Sequence, residues 1–213
     1  MSSHRAFVPQ VNNPNYLTMQ YLSRERWISF WYQLMEVTEL HPSSVLEIGP
    51  GPGEVTTILR RIGMNVKTMD IDFSVKPTVV GDITSLPFQN HSFDVVLAAE
   101  VLEHIQFEEV DRALRELGRV AKKGLVITLP NFSHFAPSIA LKIFPYIPRF
   151  SKVFPVTFPI PHHFDGQHYW EIGKRDTPLS LVKKTLTRYT GFAMKNEFLI
   201  EENPFHHMFV LKR

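Results

Sequence analysis

The chain has 213 residues, with 23 Lys and Arg against 21 Asp and Glu and a formal charge of +2. That length suits one domain with a full hydrophobic core, and the near-neutral balance argues against a nucleic-acid partner, whose affinity rests on neutralised phosphates. Cysteine is absent, which excludes a disulfide framework and a thiolate metal site. No apolar signal core opens the chain and no run of eighteen apolar residues occurs, so a cytoplasmic protein without a transmembrane helix is expected.

Residues 1–14 are polar and punctuated by proline, and read as a loose arm. Tyr16 to Leu40 shows helical periodicity, with Tyr21, Trp27, Ile28, Trp31, Leu34 and Met35 apolar. One or two helices are expected there, packed beside the ligand site and ended by Pro42. Strand and helix then alternate, which favours a parallel sheet. Strands are expected at 44–49, 65–70, 78–81, 93–98 and 124–129, and helices at 53–63 and 107–122. Leu114, Leu117 and Val120 make one apolar stripe, and Gly63 and Gly124 stand where helix C-caps are expected.

Residues 130–161 hold seven of the 16 prolines and six of the 17 phenylalanines. Leu141 to Phe144 reads as a short helix, and the prolines forbid a long one. The segment is too apolar for a linker. It is either a lid over a ligand pocket or an insertion packed on the core, and its apolar surface could also meet a membrane or a second subunit. Leu179 to Tyr189 reads as a helix followed by Gly191. Strands at 192–200 and 208–212 complete the chain.

The chemistry concentrates at Glu47-Ile48-Gly49-Pro50-Gly51-Pro52-Gly53, followed by Asp70 and Asp82. A strand, a glycine turn, a helix and an acid about twenty residues on is the layout of a nucleoside site. Glycines let the backbone turn sharply and approach a ligand. A dinucleotide site grips pyrophosphate with backbone N–H groups, but Pro50 and Pro52 have none. The third glycine comes one residue early, and no Lys-Ser/Thr pair follows. The turn therefore suits a nucleoside without phosphates, a description that S-adenosylmethionine fits.

Four further motifs follow in order: Met69-Asp70-Ile71-Asp72; Gly81-Asp82-Ile83 with Leu86-Pro87-Phe88; Phe93-Asp94-Val95-Val96; and Glu100-Val101-Leu102-Glu103-His104. With them the stretch Ser44–Pro130 resembles the class I S-adenosylmethionine-dependent methyltransferases. It is most similar to the small-molecule enzymes of quinone and natural-product pathways. The resemblance implies an α/β fold, a Rossmann-like seven-stranded and mostly parallel sheet with helices on both faces and an antiparallel last strand. It also implies a single domain: a helical cap at 1–42, a cofactor-binding core at 43–130, an acceptor-side insertion or lid at 131–175 that includes Phe135 and Phe144, and a C-terminal helix with edge strands at 176–213.

By the same resemblance, Gly49, Gly51 and Gly53 cradle the cofactor, Asp70 binds its ribose beside Ile71, and Asp82 and Ile83 hold its adenine. Asp72 is the rival to Asp70, and either aspartate could instead cap a helix. Glu47 is charged inside a buried strand, which is costly without a partner, so it is expected to hydrogen-bond beneath the glycine turn or near the methionine amino group. Glu100 lines the methionine moiety, and His104 is a candidate general base, with His134 and His168 competing.

The spacing of Glu100, Glu103 and His104 can bring all three to one side of a helical turn. A divalent cation such as Mg²⁺ or Zn²⁺ would suit them, with His162, His163 or His168 as a further ligand and His168 the nearest match. Glu-His pairs at this position also occur without metal. His206 and His207 rank last for either role. The implied activity is methyl transfer to a small apolar or aromatic acceptor, with oxygen the favoured atom and S-adenosylhomocysteine the product. The alternatives are a metal-assisted RNA methyltransferase and a non-catalytic S-adenosylmethionine-binding module. Neither the acceptor nor the oligomeric state is legible.

Overall fold

The computed structural model describes residues 16, 18–132, 137–143, 147–154, 156 and 160–213. Helix α1 (Arg24–Thr38) precedes β1 (Ser44–Ile48), α2 (Glu54–Arg61), β2 (Asn65–Asp70), β3 (Val79–Val80) and β4 (Phe93–Ala99). Then follow α3 (Phe107–Val120), β5 (Ala121–Pro130), β6 (Ser138–Ile143), β7 (Ile147–Val153), α4 (Leu179–Thr190), β8 (Ala193–Leu199) and β9 (His206–Lys212). Single 3-10 turns lie at Phe73–Val75 and Leu102–His104. Among the described residues no helix is long and apolar enough to cross a membrane.

Seven strands form one sheet in the order β3-β2-β1-β4-β5-β9-β8. β1 to β5 pair in parallel, and β9 runs antiparallel between β5 and β8. This is the expected architecture. The period-two alternation of the strands builds it. Leu46, Ile48, Val96, Ala98, Leu125, Ile127, Phe209 and Leu211 pack on one face with Val110, Leu114 and Leu117 of α3 and Val182 and Leu186 of α4. The intervening Val45, Val95, Leu97, Val126, Met208 and Val210 pack on the other with Phe30 and Val37 of α1 and Val55 and Leu59 of α2. The central strands β1, β4, β5 and β9 are apolar on both sides because helices cover both.

Several local expectations need correction. Gly124 is not a helix cap: α3 ends at Val120, Ala121 turns to extended backbone, and Gly124 pairs inside β5 with Val95 and Lys212. Gly63 does follow α2 with φ +95° and donates to the Arg60 carbonyl. On α1 the exposed apolar residues are Trp27, Trp31 and Met35, whereas Ser29, Phe30, Gln33 and Val37 are buried. The helix is apolar on both sides, so periodicity could not choose the face. Ser29 is buried because its hydroxyl accepts a 3.0 Å hydrogen bond from Asn203 Nδ2.

Residues 141–143 belong to β6 rather than a helix, and β6 and β7 form a separate antiparallel pair. Pro148 is accommodated where the register of that pair shifts, since proline has no N–H to give. The arm at 1–14 lies outside the described residues.

The helices α3 and α4 meet at Gly118. A Cβ built there would lie 2.2 Å from the Thr190 carbonyl oxygen at the end of α4. In an open helix, glycine to alanine gains about 1 kcal/mol. Here the sign reverses, because backbone cannot yield as a flexible side chain does. Gly118→Ala should destabilise the fold by about 1–3 kcal/mol, the usual cost of overpacking. Urea denaturation reads this directly, and a stabilised variant would mean that α4 shifts freely.

Candidate active site

Strand order places a crevice at one end of the sheet. From β1 the chain runs to β2 and β3 on one side, and β4 and β5 lie on the other. The connections leaving the carboxyl ends of β1 and β4 therefore diverge, which is where open α/β sheets bind ligands. A cavity of about 1650 Å³ opens there.

The glycine turn forms its floor. Gly49 has φ +68°, and a Cβ on it would lie 2.5 Å from Val101 Cγ2 in the segment after β4. Its N–H donates to the Met69 carbonyl at 2.9 Å. Gly51 and Gly53 also have positive φ, and Gly53 N–H donates to the Pro50 carbonyl, closing the turn into α2. Beneath it Glu47 is buried on the α2 side of β1 and accepts from the Thr56 hydroxyl. Burial outweighs that bond and pushes the Glu47 carboxyl up to about 7.

The predicted acids stand along one wall. Asp70 ends β2, and its Oδ1 accepts from Asp72 N–H at 2.8 Å. Burial raises its pKa. Asp72 caps the turn that follows, accepting from Ser74 N–H and Oγ at 2.8 and 2.6 Å. Asp82 accepts from Thr84 N–H at 2.7 Å, beside the buried Ile83. Asp70, Ile71, Asp82 and Ile83 all line the cavity.

The opposite wall begins at Glu100, which follows β4 with φ +54°, a conformation costly for a residue with a side chain. Its N–H donates to Thr128 O at 3.0 Å, its Oε2 lies 3.7 Å from His206 Nε2, and its Oε1 is buried with no hydrogen-bond partner. Glu103 is fully buried and neither of its oxygens has a hydrogen-bond partner. Burial first, then the nearby Glu100 carboxylate, push Glu103 well above the usual range.

His104 Nδ1 lies 3.0 Å from the Gln167 carbonyl oxygen. A carbonyl only accepts, so Nδ1 carries the proton and Nε2 the lone pair. Burial lowers the His104 pKa and keeps the ring neutral. The next segment is tied to this turn. Trp170 Nε1 donates to Leu102 O at 3.1 Å, and Tyr169 N–H donates to Glu103 O at 2.8 Å. That brings the His168 ring to 5.3 Å from the His104 ring. His168 Nδ1 is 3.0 Å from Glu171 Oε1. Burial alone would lower His168, but the Glu171 contact wins and raises it.

Ligand atoms of Glu103, His104 and His168 lie within 4.8 Å of one another. Glu100 is not in that cluster, and His162 turns its Nε2 to the His168 carbonyl at 2.9 Å. His163 is exposed, and His134, Phe135 and Phe144 lie outside the described residues.

The N-terminal segment, expected beside the ligand site, supplies a third wall, although no motif singles out its lining residues. Tyr16, Tyr21, Arg26 and Gln33 line the cavity from the N-terminal segment. The Tyr21 hydroxyl and the Tyr16 ring come within ordinary contact of a Cβ placed on Gly51, and Arg26 lies 4.2 Å over the Tyr21 ring. Phe205 and His206 enter from the start of β9, and Asn131 and Phe132 from the end of β5. No motif marks any of these, because the fold alone brings them near the glycine turn.

Residues 46–128 match the family described as the methyltransferase domain. The matched residues run from β1 into β5 and carry the glycine turn, Asp70, Asp82, Glu100 and His104. Over 120 residues the chain is 31% identical to the demethylmenaquinone methyltransferase of Thermotoga maritima, covering 48% of this chain and 52% of that protein. The chain thus spans about half the length of that curated relative. The PH0226 protein of Pyrococcus horikoshii has the same fold, with a TM-score of 0.60, 17% identity and 93% of each chain covered. So does the 1,6-didemethyltoxoflavin-N1-methyltransferase of Burkholderia thailandensis, with a TM-score of 0.58, 13% identity, and 94% of this chain and 86% of that one covered.

The buried acid of the matched stretch gives a pH test. Glu47 binds its proton more tightly folded than unfolded, since its pKa moves from the usual 4.5 to about 7. The fold gains from this below pH 4.5 and loses the gain as pH rises through 7. The swing is about 3 kcal/mol at about 1.4 kcal/mol per pH unit. Glu47→Gln keeps an acceptor for Thr56 without the titration. Its stability relative to the parent should rise by that amount between pH 4.5 and 8 in urea denaturation. Parallel pH profiles would contradict the assignment.

Proposed function

We propose that the chain transfers a methyl group from S-adenosylmethionine to a hydroxyl oxygen of a small aromatic acceptor. One observation carries this reading: a single cavity joins the glycine turn, Asp70, Asp82 and the neutral His104. The Burkholderia enzyme of the same fold is named with S-adenosylhomocysteine bound, which supports the cofactor. The side chains present fit it. Asp70 would accept from the ribose hydroxyls and Asp82 from the adenine amine, with Ile71 and Ile83 beside the ring. The unpartnered Glu100 Oε1 suits the methionine ammonium, and Arg26 suits its carboxylate.

Bound there, the sulfonium supplies an already activated methyl group, so the protein mainly aligns the reactants and excludes water. The cofactor would supply the methyl carbon to the acceptor oxygen and keep the C–S electron pair on sulfur. The hydroxyl proton passes to His104 Nε2, kept available by the Gln167 carbonyl on Nδ1. Phe132, Tyr169 and Phe205 supply aromatic walls on the acceptor side. In this reading residues 1–42 cap the cofactor, 43–130 hold it, the flanks of 131–175 face the acceptor, and 176–213 complete the sheet.

The cluster of Glu103, His104 and His168 supports a second reading of the acceptor side, in which a divalent cation binds the acceptor oxygen. The buried, unpartnered Glu103 carboxyl is the observation behind it. Such a cation would release the proton Glu103 holds and supply charge that favours the acceptor alkoxide.

Asp70→Ala should weaken S-adenosylhomocysteine binding by about 1–3 kcal/mol, the cost of leaving polar groups unpaired. Equal affinities in calorimetry would sink the ribose assignment. His104→Ala should lower kcat by about 10²–10⁴ while leaving cofactor affinity unchanged. A chelator separates the two readings of the acceptor side. Activity that falls and recovers with Mg²⁺ or Zn²⁺ supports the cation, whereas indifference with no metal by elemental analysis leaves His104 as the base.

A further inference from the structure

The hairpin of β6 and β7 is set apart from the rest of the fold. Its two strands pair only with each other, and no third strand extends either edge among the described residues. A two-stranded ribbon is marginal in water without a surface to cover its apolar face.

The register shows what that face carries. Ile139 pairs with Lys152, and Phe154 N–H continues the ladder to the Pro137 carbonyl at 2.9 Å. Paired residues share a face, and so do residues two apart on a strand. Ile139, Lys152 and Phe154 therefore stand together. Lys152 Nζ lies 5.5 Å from the centre of the Phe154 ring, in keeping with that placement. Ile139 is 67% exposed and Phe154 44%.

Charge selects the partner. No Asp or Glu occurs from Leu117 to Phe164, while Lys142, Arg149 and Lys152 lie in the hairpin. An apolar face that carries Lys152, on a hairpin with two further cations and no acid, complements an anionic lipid surface, where the ring enters the boundary and the amine stays with the headgroups. A second copy of the chain fits less well, because a twofold pairing would set cations against cations.

We infer that the β6–β7 hairpin is a membrane-docking element for anionic phospholipid, seated through Ile139, Phe154 and Lys152. Co-sedimentation with phosphatidylglycerol-rich vesicles tests it, with pure phosphatidylcholine vesicles as the comparison. The full chain should bind the anionic vesicles and release in high salt. Lys152→Gln should weaken binding about fivefold, the equivalent of about 1 kcal/mol for one cation at such a surface. Phe154→Asp and Ile139→Asp should abolish it while leaving circular dichroism and S-adenosylhomocysteine affinity unchanged. Three results would overturn the inference: no binding to either vesicle, equal binding to both, or a dimer in solution that Phe154→Asp dissociates.

Discussion

The structure depends on one close approach at the carboxyl end of the sheet. The turn leaving β1 presses against the segment leaving β4, where Gly49 leaves no room for a Cβ beside Val101. These neighbouring strands feed connections that run to opposite sides of the sheet. Gly49 and Val101 both line the crevice, and a side chain on Gly49 would meet Val101 there. Glu47 under the turn, Asp70 at the end of β2 and Glu100 after β4 all take their positions from it. The positive φ of Glu100 belongs to the same geometry: its N–H must reach Thr128 on β5 while its side chain turns towards His206.

The wall that carries His104 depends on a different tie. Trp170 is buried with its indole N–H on the Leu102 carbonyl and its ring edge-on to Phe107. Tyr169 bonds to Glu103 and Ile172 to Pro130 through the backbone. Together these hold His168 next to His104, although 64 positions separate them in the chain. Glu103 lies between, as a carboxyl without a hydrogen-bond partner in the interior, an arrangement that stability alone would not favour. Perturbed and unpartnered groups of this kind gather where chemistry is done.

Much of this was legible in the sequence. Alternating strand and helix patterns predicted the sheet, because the central strands bury both faces and α3 buries one stripe. The glycine turn and the acids at 70 and 82 were legible because backbone freedom and carboxylate chemistry leave residue-type signatures at fixed spacing. What stayed hidden depended on packing between distant segments. Trp27, Trp31 and Met35 follow helical periodicity as well as the buried residues do, and only the fold shows which side faces in. Tyr21 and Arg26 carry no motif, and reach the cavity because the segment leading into α1 lies against Gly51. Leu141 to Phe144 fits a short helix or a strand by sequence, and for residues 141–143 the pairing of β6 with β7 decides.

The crevice between β1 and β4 is proposed as the cofactor site. A crystal structure of the chain with S-adenosylhomocysteine tests it most directly. The account predicts the ribose on Asp70, the adenine between Ile71 and Ile83 with its amine on Asp82, and the sulfur directed towards His104. A ligand bound elsewhere, or one in the crevice with its adenine on the His104 side, would contradict it.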